Sequence, residues 1–167
     1  QSSFGQDAII NEMSQGSDGN KEWVEILVIT NNLDMRGFQL GDLDDGTWHA
    51  GPTFSSDAAW SSVASGTLIV VYNGADVDGT IGFEDTNFGD HSVKIAHNNA
   101  TYFTGSWGSY GNTDGDDCAA LRDASDNVIH DMAAAHPTAT ITAPSSAQTK
   151  YYTGGNTTNI ANSSFWI

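Results

Sequence analysis

The amino-acid sequence predicts an all-β sandwich with little or no helix. Three observations carry this. Helical periodicity is almost absent. Apolar and β-branched runs are short and bounded by clusters of Gly, Asn, Asp and Ser. Two runs, residues 22–30 and 68–72, are apolar enough to be central strands. One domain is the default for 167 residues, and 5 Trp, 7 Phe and 5 Tyr supply a core.

Residues 7–14 read as the first strand, with Ile9, Ile10 and Met13 apolar. Residues 15–20 are a Gly/Ser/Asp/Asn turn, and 22–30 form the next strand. Asn31-Asn32 turns the chain into 35–40, with Phe38 and Leu40 facing the core. Residues 42–46 read as an acidic turn and 47–49 as a short strand. The Ser- and Ala-rich stretch 56–63 around Trp60 suits one or two helical turns. Strand 68–72 ends at Asn73-Gly74, and an acidic loop follows over 76–90. Residues 91–96 are a strand with Val93 and Ile95 inward, and 101–103 add a short one. A Gly- and aromatic-rich loop covers 105–115. Residues 118–123 and 127–132 make a hairpin around Ala124-Ser125-Asp126. The total is about eight or nine strands joined by long acidic or Gly-rich loops. Residues 1–135 hold the sandwich. Residues 136–167 form a polar extension that packs on it or on a neighbouring subunit. Phe165, Trp166 and Ile167 are apolar anchors suited to assembly.

Charge narrows the function. Five Lys and Arg stand against 21 Asp and Glu, a formal net charge of −16. Such a field repels phosphate backbones, so no nucleic-acid partner is expected. It attracts hard cations, Ca²⁺ above all, or it serves only to keep the chain soluble. No apolar run is long enough to cross a bilayer, so no membrane insertion is expected. The single cysteine, Cys118, permits no internal disulfide and reads as a small buried hydrophobe. A start at Gln1 reads as a mature secreted or cell-surface chain after signal-peptide removal, although an arbitrary boundary would look the same.

Acidic clusters are the first candidate sites. Asp76-Val77-Asp78-Gly79-Thr80 has a D-x-D-G spacing that can bring two carboxylates to one hard cation, with Glu84, Asp85 and Asp90 in the same loop. The full EF-hand pattern is missing, and a solvated acidic turn is the plain alternative. Asp42, Asp44 and Asp45 form a second cluster, and Asp114, Asp116 and Asp117 a third. Aromatics in polar loops are the other candidates. Trp48, Trp107 and Tyr110 would stack on sugar rings if exposed, or fill small cores of their own if buried. Glu12, Glu22 and Glu25 near strand ends are expected to be structural. The 5 His show no zinc or nucleophile signature, so no catalytic residue is assigned.

Several segments in order resemble a lamin tail domain. Ile9-Ile10-Asn11-Glu12 is similar to its opening "INE" strand. Glu22-Trp23-Val24-Glu25-Ile26 is similar to its "W-[IV]-E-[LI]" strand, and residues 33–40 to its "D-L-S-G-[WF]-x-L" segment. Residues 65–72 resemble its "aGtyLvv" strand, and 112–123 with 127–131 its closing hairpin. Together these cover about residues 7–132, most closely in the manner of bacterial secreted and surface members. The resemblance implies an immunoglobulin-like sandwich and no active site. The insertion between Asp42 and Gly66 and the loop 76–90 are longer than the family minimum, and the chain after about 135 lies outside the family pattern.

The expected function is therefore a non-catalytic extracellular structural or adhesive module. It would self-assemble or join other surface proteins, with Ca²⁺ stabilising its loops. The alternative is a carbohydrate-binding module that meets polysaccharide beside a secreted hydrolase. A small hydrolase is the third reading.

Overall fold

A computed structural model describes residues 6–14, 16, 21–44, 47–107, 119–131 and 149–151, with the side chains of 43–44 and 149–151 outside that description. Among the described residues ten strands follow one another: β1 Ala8–Ser14, β2 Trp23–Val28, β3 Gln39–Asp44, β4 Thr47–Phe54, β5 Leu68–Tyr72, β6 Ser92–Ala96, β7 Phe103–Thr104, β8 Ala119–Arg122, β9 Val128–Asp131 and β10 Thr149–Tyr151. Two 3-10 turns, Ala58–Ser62 and Phe88–Asp90, are the only helical elements among the described residues. The strands form two five-stranded sheets, in the orders β10-β1-β2-β5-β6 and β7-β4-β3-β8-β9. The chain is thus an all-β sandwich. Pairings are antiparallel except β5 with β6, whose parallel register needs the long connection between them.

Alternation sets the core face of each strand. In β2, Val24, Ile26 and Val28 are buried while Trp23, Glu25 and Leu27 are half-buried on the outer face. In β1, Ile10 and Met13 both point inward although three residues apart. A β-bulge between Ile10 and Glu12 makes this possible, because the extra residue, Asn11, flips the pleat. The inner layers meet through Ile26, Ile69, Ile95, Leu40 and Leu121, all fully buried. One end of the core is aromatic. Trp60 stands edge-on to Phe54, with centroids 4.7 Å apart, and to Phe88 at 5.1 Å.

β9 lies at an edge of the second sheet and packs against β1 of the first. The Ile10 amide donates to Nδ1 of His130 (3.0 Å), and Gln6 Nε2 donates to the Ile129 carbonyl (3.1 Å). These bonds stitch the two sheets together at one corner.

Three sequence expectations change here. The acidic turn expected at 42–46 is replaced, through Asp44, by strand β3. Asp42 pairs in register with His49 on one side and Ala119 on the other. β4 runs well past residue 49, to Phe54. Gly51 and Pro52 concealed it as strand breakers, but Pro52 sits beside a register shift, where no ladder amide is needed. Residues 35–38 form a turn rather than strand. The Phe38 amide bonds to the Met35 carbonyl, and Gly37 takes a φ of +80°.

Candidate functional site

The acidic segment between β5 and β6 is a folded flap. Ile81 (7% exposed) packs on Val70 and Tyr72, which project from the outer face of the first sheet, with Trp23 and Ala96 beside them. This small second core pins the flap by apolar burial. The chain then adds to the edge of the sheet. Asp85 and Lys94 exchange backbone hydrogen bonds, each 2.8 Å, so the flap covers the open side of β6. Lys94 Nζ reaches back to the Ile81 carbonyl (3.0 Å).

The carboxylates of the flap accept hydrogen bonds from its own turns and from β6 and the loop after it. Asp78, itself buried, accepts from the Thr80 amide (2.7 Å) and hydroxyl (2.6 Å). Glu84 accepts from the Ala96 amide (3.1 Å) and from Asn99 Nδ2 (3.0 Å). Asp85 caps the Asn87 amide (2.9 Å), and Asp90 caps the Ser92 amide (3.1 Å). Asp76 is half-buried where the flap begins. The convergence on one ion expected for Asp76, Asp78, Glu84, Asp85 and Asp90 is not found. Among the described residues no three His, Cys, Asp or Glu side chains form a group able to hold a metal. Asp78, Glu84, Asp85 and Asp90 are instead each drawn to a nearby donor left over by a turn or an edge.

The second cluster is also separated. Asp42 is 4% exposed, in line with Leu40 on the core-facing side of β3. Asp45 and the side chain of Asp44 lie outside the described residues, as do Asp114, Asp116, Asp117 and Cys118.

The aromatic candidates divide similarly. Trp107 is 7% exposed and belongs to the core, its ring 5.2 Å from that of His97. The exposed platform expected there is corrected by this burial. Trp48 is half-buried on the outer face of the second sheet. Its ring packs onto Gly41, where a Cβ would strike it, and carries the Arg122 guanidinium 4.4 Å from its centroid. That ring already has its cation. Tyr110, Phe165, Trp166 and Ile167 lie outside the described residues.

Two features were not anticipated from sequence. Phe83 is 93% exposed at the tip of the flap, next to Gly82 at a φ of +74°. An aromatic amid acidic residues was the only signal, and it did not distinguish a buried ring from an open one. The other is a like-charged pair. Glu12 and Glu25 stand opposite each other on β1 and β2, and Asn11 Nδ2 donates to Glu25 Oε1 (2.6 Å). Burial raises both carboxyls above the usual range. The charge of Glu25 raises Glu12 further, while the Asn11 bond lowers Glu25. An acid raised on folding holds its proton longer folded than unfolded, so its stabilising effect is present at low pH and lost as pH rises through its folded value. Glu12→Gln will therefore stabilise the protein at neutral pH by about 0.5 kcal/mol, after screening at this half-exposed site, and the gain will vanish near pH 4. Urea midpoints at the two pH values check this.

Two histidines, His97 and His130, are buried. His130 is 4% exposed, and burial pushes its imidazole down to about 3. His97 Nδ1 accepts the Gly74 amide (3.0 Å), and burial lowers its imidazole, opposed by a backbone bond with Tyr72. Both rings are thus neutral at physiological pH.

Comparison with protein-family models gave no match, and neither did a search of curated proteins.

Proposed function

We propose that this protein is a non-catalytic structural or adhesive module, of the lamin-tail-like, secreted kind its sequence resembles, that assembles with copies of itself. The observation that carries the reading is the pairing of β10 with β1. Glu12, Met13 and Ser14 face Tyr151, Lys150 and Thr149 in antiparallel register at the edge of the first sheet. Residues 132–148 separate β10 from β9, a connection of 148 − 131 = 17 residues. A three-residue strand so far along the chain from β9 can complete its own sheet or the same edge of a second copy with identical bonds.

The rest of the surface fits a module of this kind. The flap protects the β6 edge, so strand addition is directed to the β1 side. Phe83 and the 40%-exposed Val77 offer apolar contacts on the acidic flap. The carbohydrate-binding alternative has lost support, because Trp107 is buried and Trp48 carries Arg122.

Size-exclusion chromatography with light scattering tests the reading, on the full chain and on a chain ending before residue 149. The full chain is expected to form concentration-dependent oligomers that the shortened chain does not form. A full chain that stays monomeric at all concentrations overturns it.

A further inference from the structure

The end of β5 brings together a set of groups that the structural role does not require. Asn73-Gly74 is the one Asn-Gly dipeptide in the chain. The Gly74 amide donates to His97 Nδ1 at 3.0 Å. Asn73 Oδ1 accepts from the Ala75 amide at 3.0 Å. Asn73 Nδ2 donates to Glu22 Oε2 at 3.1 Å, and Glu22 is 8% exposed. The His97 ring is 9% exposed and packs against Trp107. A Cβ at residue 74 would press on the end of the exposed Asn98 side chain, which would have to move aside.

We propose that Asn73-Gly74 is a self-modifying site, at which the folded chain converts Asn73 to aspartate or isoaspartate through a cyclic imide with His97 as the base. The nucleophile in such a cyclisation is the backbone nitrogen of the following residue. It reacts only as its proton leaves, and His97 Nδ1 is the group that already holds that proton's hydrogen bond. A ring kept neutral by burial is in the form that can take it.

The step balances without any oxidant or reductant. His97 Nδ1 takes the Gly74 amide proton, and the Gly74 nitrogen forms a bond to Asn73 Cγ. The carbonyl electron pair moves onto Oδ1, where the Ala75 N–H is aimed at the developing negative charge. The intermediate collapses and the Cγ–Nδ2 bond breaks. The imidazolium returns its proton to Nδ2, which departs as ammonia. Glu22 acts as a positioning residue, holding the amide through its hydrogen bond from Nδ2. Water then opens the imide at either carbonyl. The product places a new carboxylate beside that of Glu22 and removes the hydrogen bond between them, loosening the root of the flap.

The same bonds in an unreactive turn would protect the amide, which makes the opposite outcome measurable. The full chain is incubated at neutral pH, folded and in urea, alongside His97→Gln, and conversion at residue 73 is followed by peptide mapping with mass spectrometry. The expected result is faster conversion in the folded than in the urea-unfolded wild type. His97→Gln should lower the folded rate on the order of a hundredfold. A folded chain no faster than the unfolded one overturns the proposal, as does a folded His97→Gln variant that converts at the wild-type rate. Circular dichroism establishes whether that variant folds, and if it does not, the comparison of folded with unfolded wild type decides alone.

Discussion

Replacing Trp60 by alanine will cost the fold about 3–5 kcal/mol, the range for deleting a fully enclosed tryptophan. The ring is 0% exposed and closes the aromatic end of the sandwich. Phe54, Phe88, Phe103 and Tyr102 surround it, with centroids between 4.7 and 5.9 Å away. Its indole N–H also donates to the Tyr102 carbonyl (2.9 Å), so truncation leaves both a cavity and a carbonyl without its donor. Trp60 ties four parts of the chain to one point: the 3-10 turn that carries it, the end of β4, the second 3-10 turn with Phe88, and the segment leading into β7. Chemical denaturation checks the size of the effect, which should appear in the midpoint with the slope unchanged. A loss below about 1 kcal/mol would mean that this end of the core is not packed as described. Phe83→Ala supplies the contrast. Its ring is 93% exposed, and its removal should leave stability within about 0.5 kcal/mol of wild type.

The second large effect is on pH dependence. His130 is enclosed between the sheets, where its Nδ1 accepts the Ile10 amide. Its folded value lies near 3, against an ordinary value of 6.5. Between those limits the unfolded chain binds a proton that the folded chain refuses. The contribution is therefore fully retained above about 6.5 and lost as pH falls toward 3, at up to about 1.4 kcal/mol per pH unit. Glu12 and Glu25 act with the opposite sign, because their raised carboxyls favour the folded state as pH falls. The two effects separate in a variant. His130→Asn keeps an acceptor for the Ile10 amide but cannot titrate, so its stability should fall much less than wild type between pH 6.5 and 5. Urea midpoints across that interval read the difference. Equal slopes would show that the imidazole is not enclosed.

The fold was legible where alternation and apolar runs speak directly. β1, β2, β5, β6, β8 and β9 lie within a residue or two of their predicted positions, because each has a clear inward face. Legibility failed where backbone chemistry and tertiary context disagreed. β4 passes through Gly51-Pro52, which any local rule reads as an end. Asp42 looked like a turn residue but sits inside β3, where its neighbours rather than its own preference decide. The parallel pairing of β5 with β6 leaves no local trace, since it is decided by the path of the flap.

The candidate site was less legible than the fold. The D-x-D-G spacing over 76–79 was real but ambiguous. The same residues that encircle a cation also cap turns, and the choice depends on donors distant in sequence, such as the Ala96 amide that holds Glu84. Ile81 and Phe88 were local hints that the acidic loop is anchored, because apolar side chains among so many polar residues need somewhere to go. The burial of Trp107 could not be read from its Gly- and Ser-rich surroundings, since its neighbour His97 lies in a separate segment.

The 76–90 flap is held by apolar packing on Val70 and Tyr72 and by hydrogen bonds from its own turns and from β6. Amide hydrogen exchange, measured in EDTA and again in excess calcium, tests it most directly. A self-built flap keeps the amides of Thr80, Ile81, Asp85 and Lys94 protected in EDTA, and calcium leaves them unchanged. Free exchange of those four amides in EDTA, with protection appearing only when calcium is added, would contradict it.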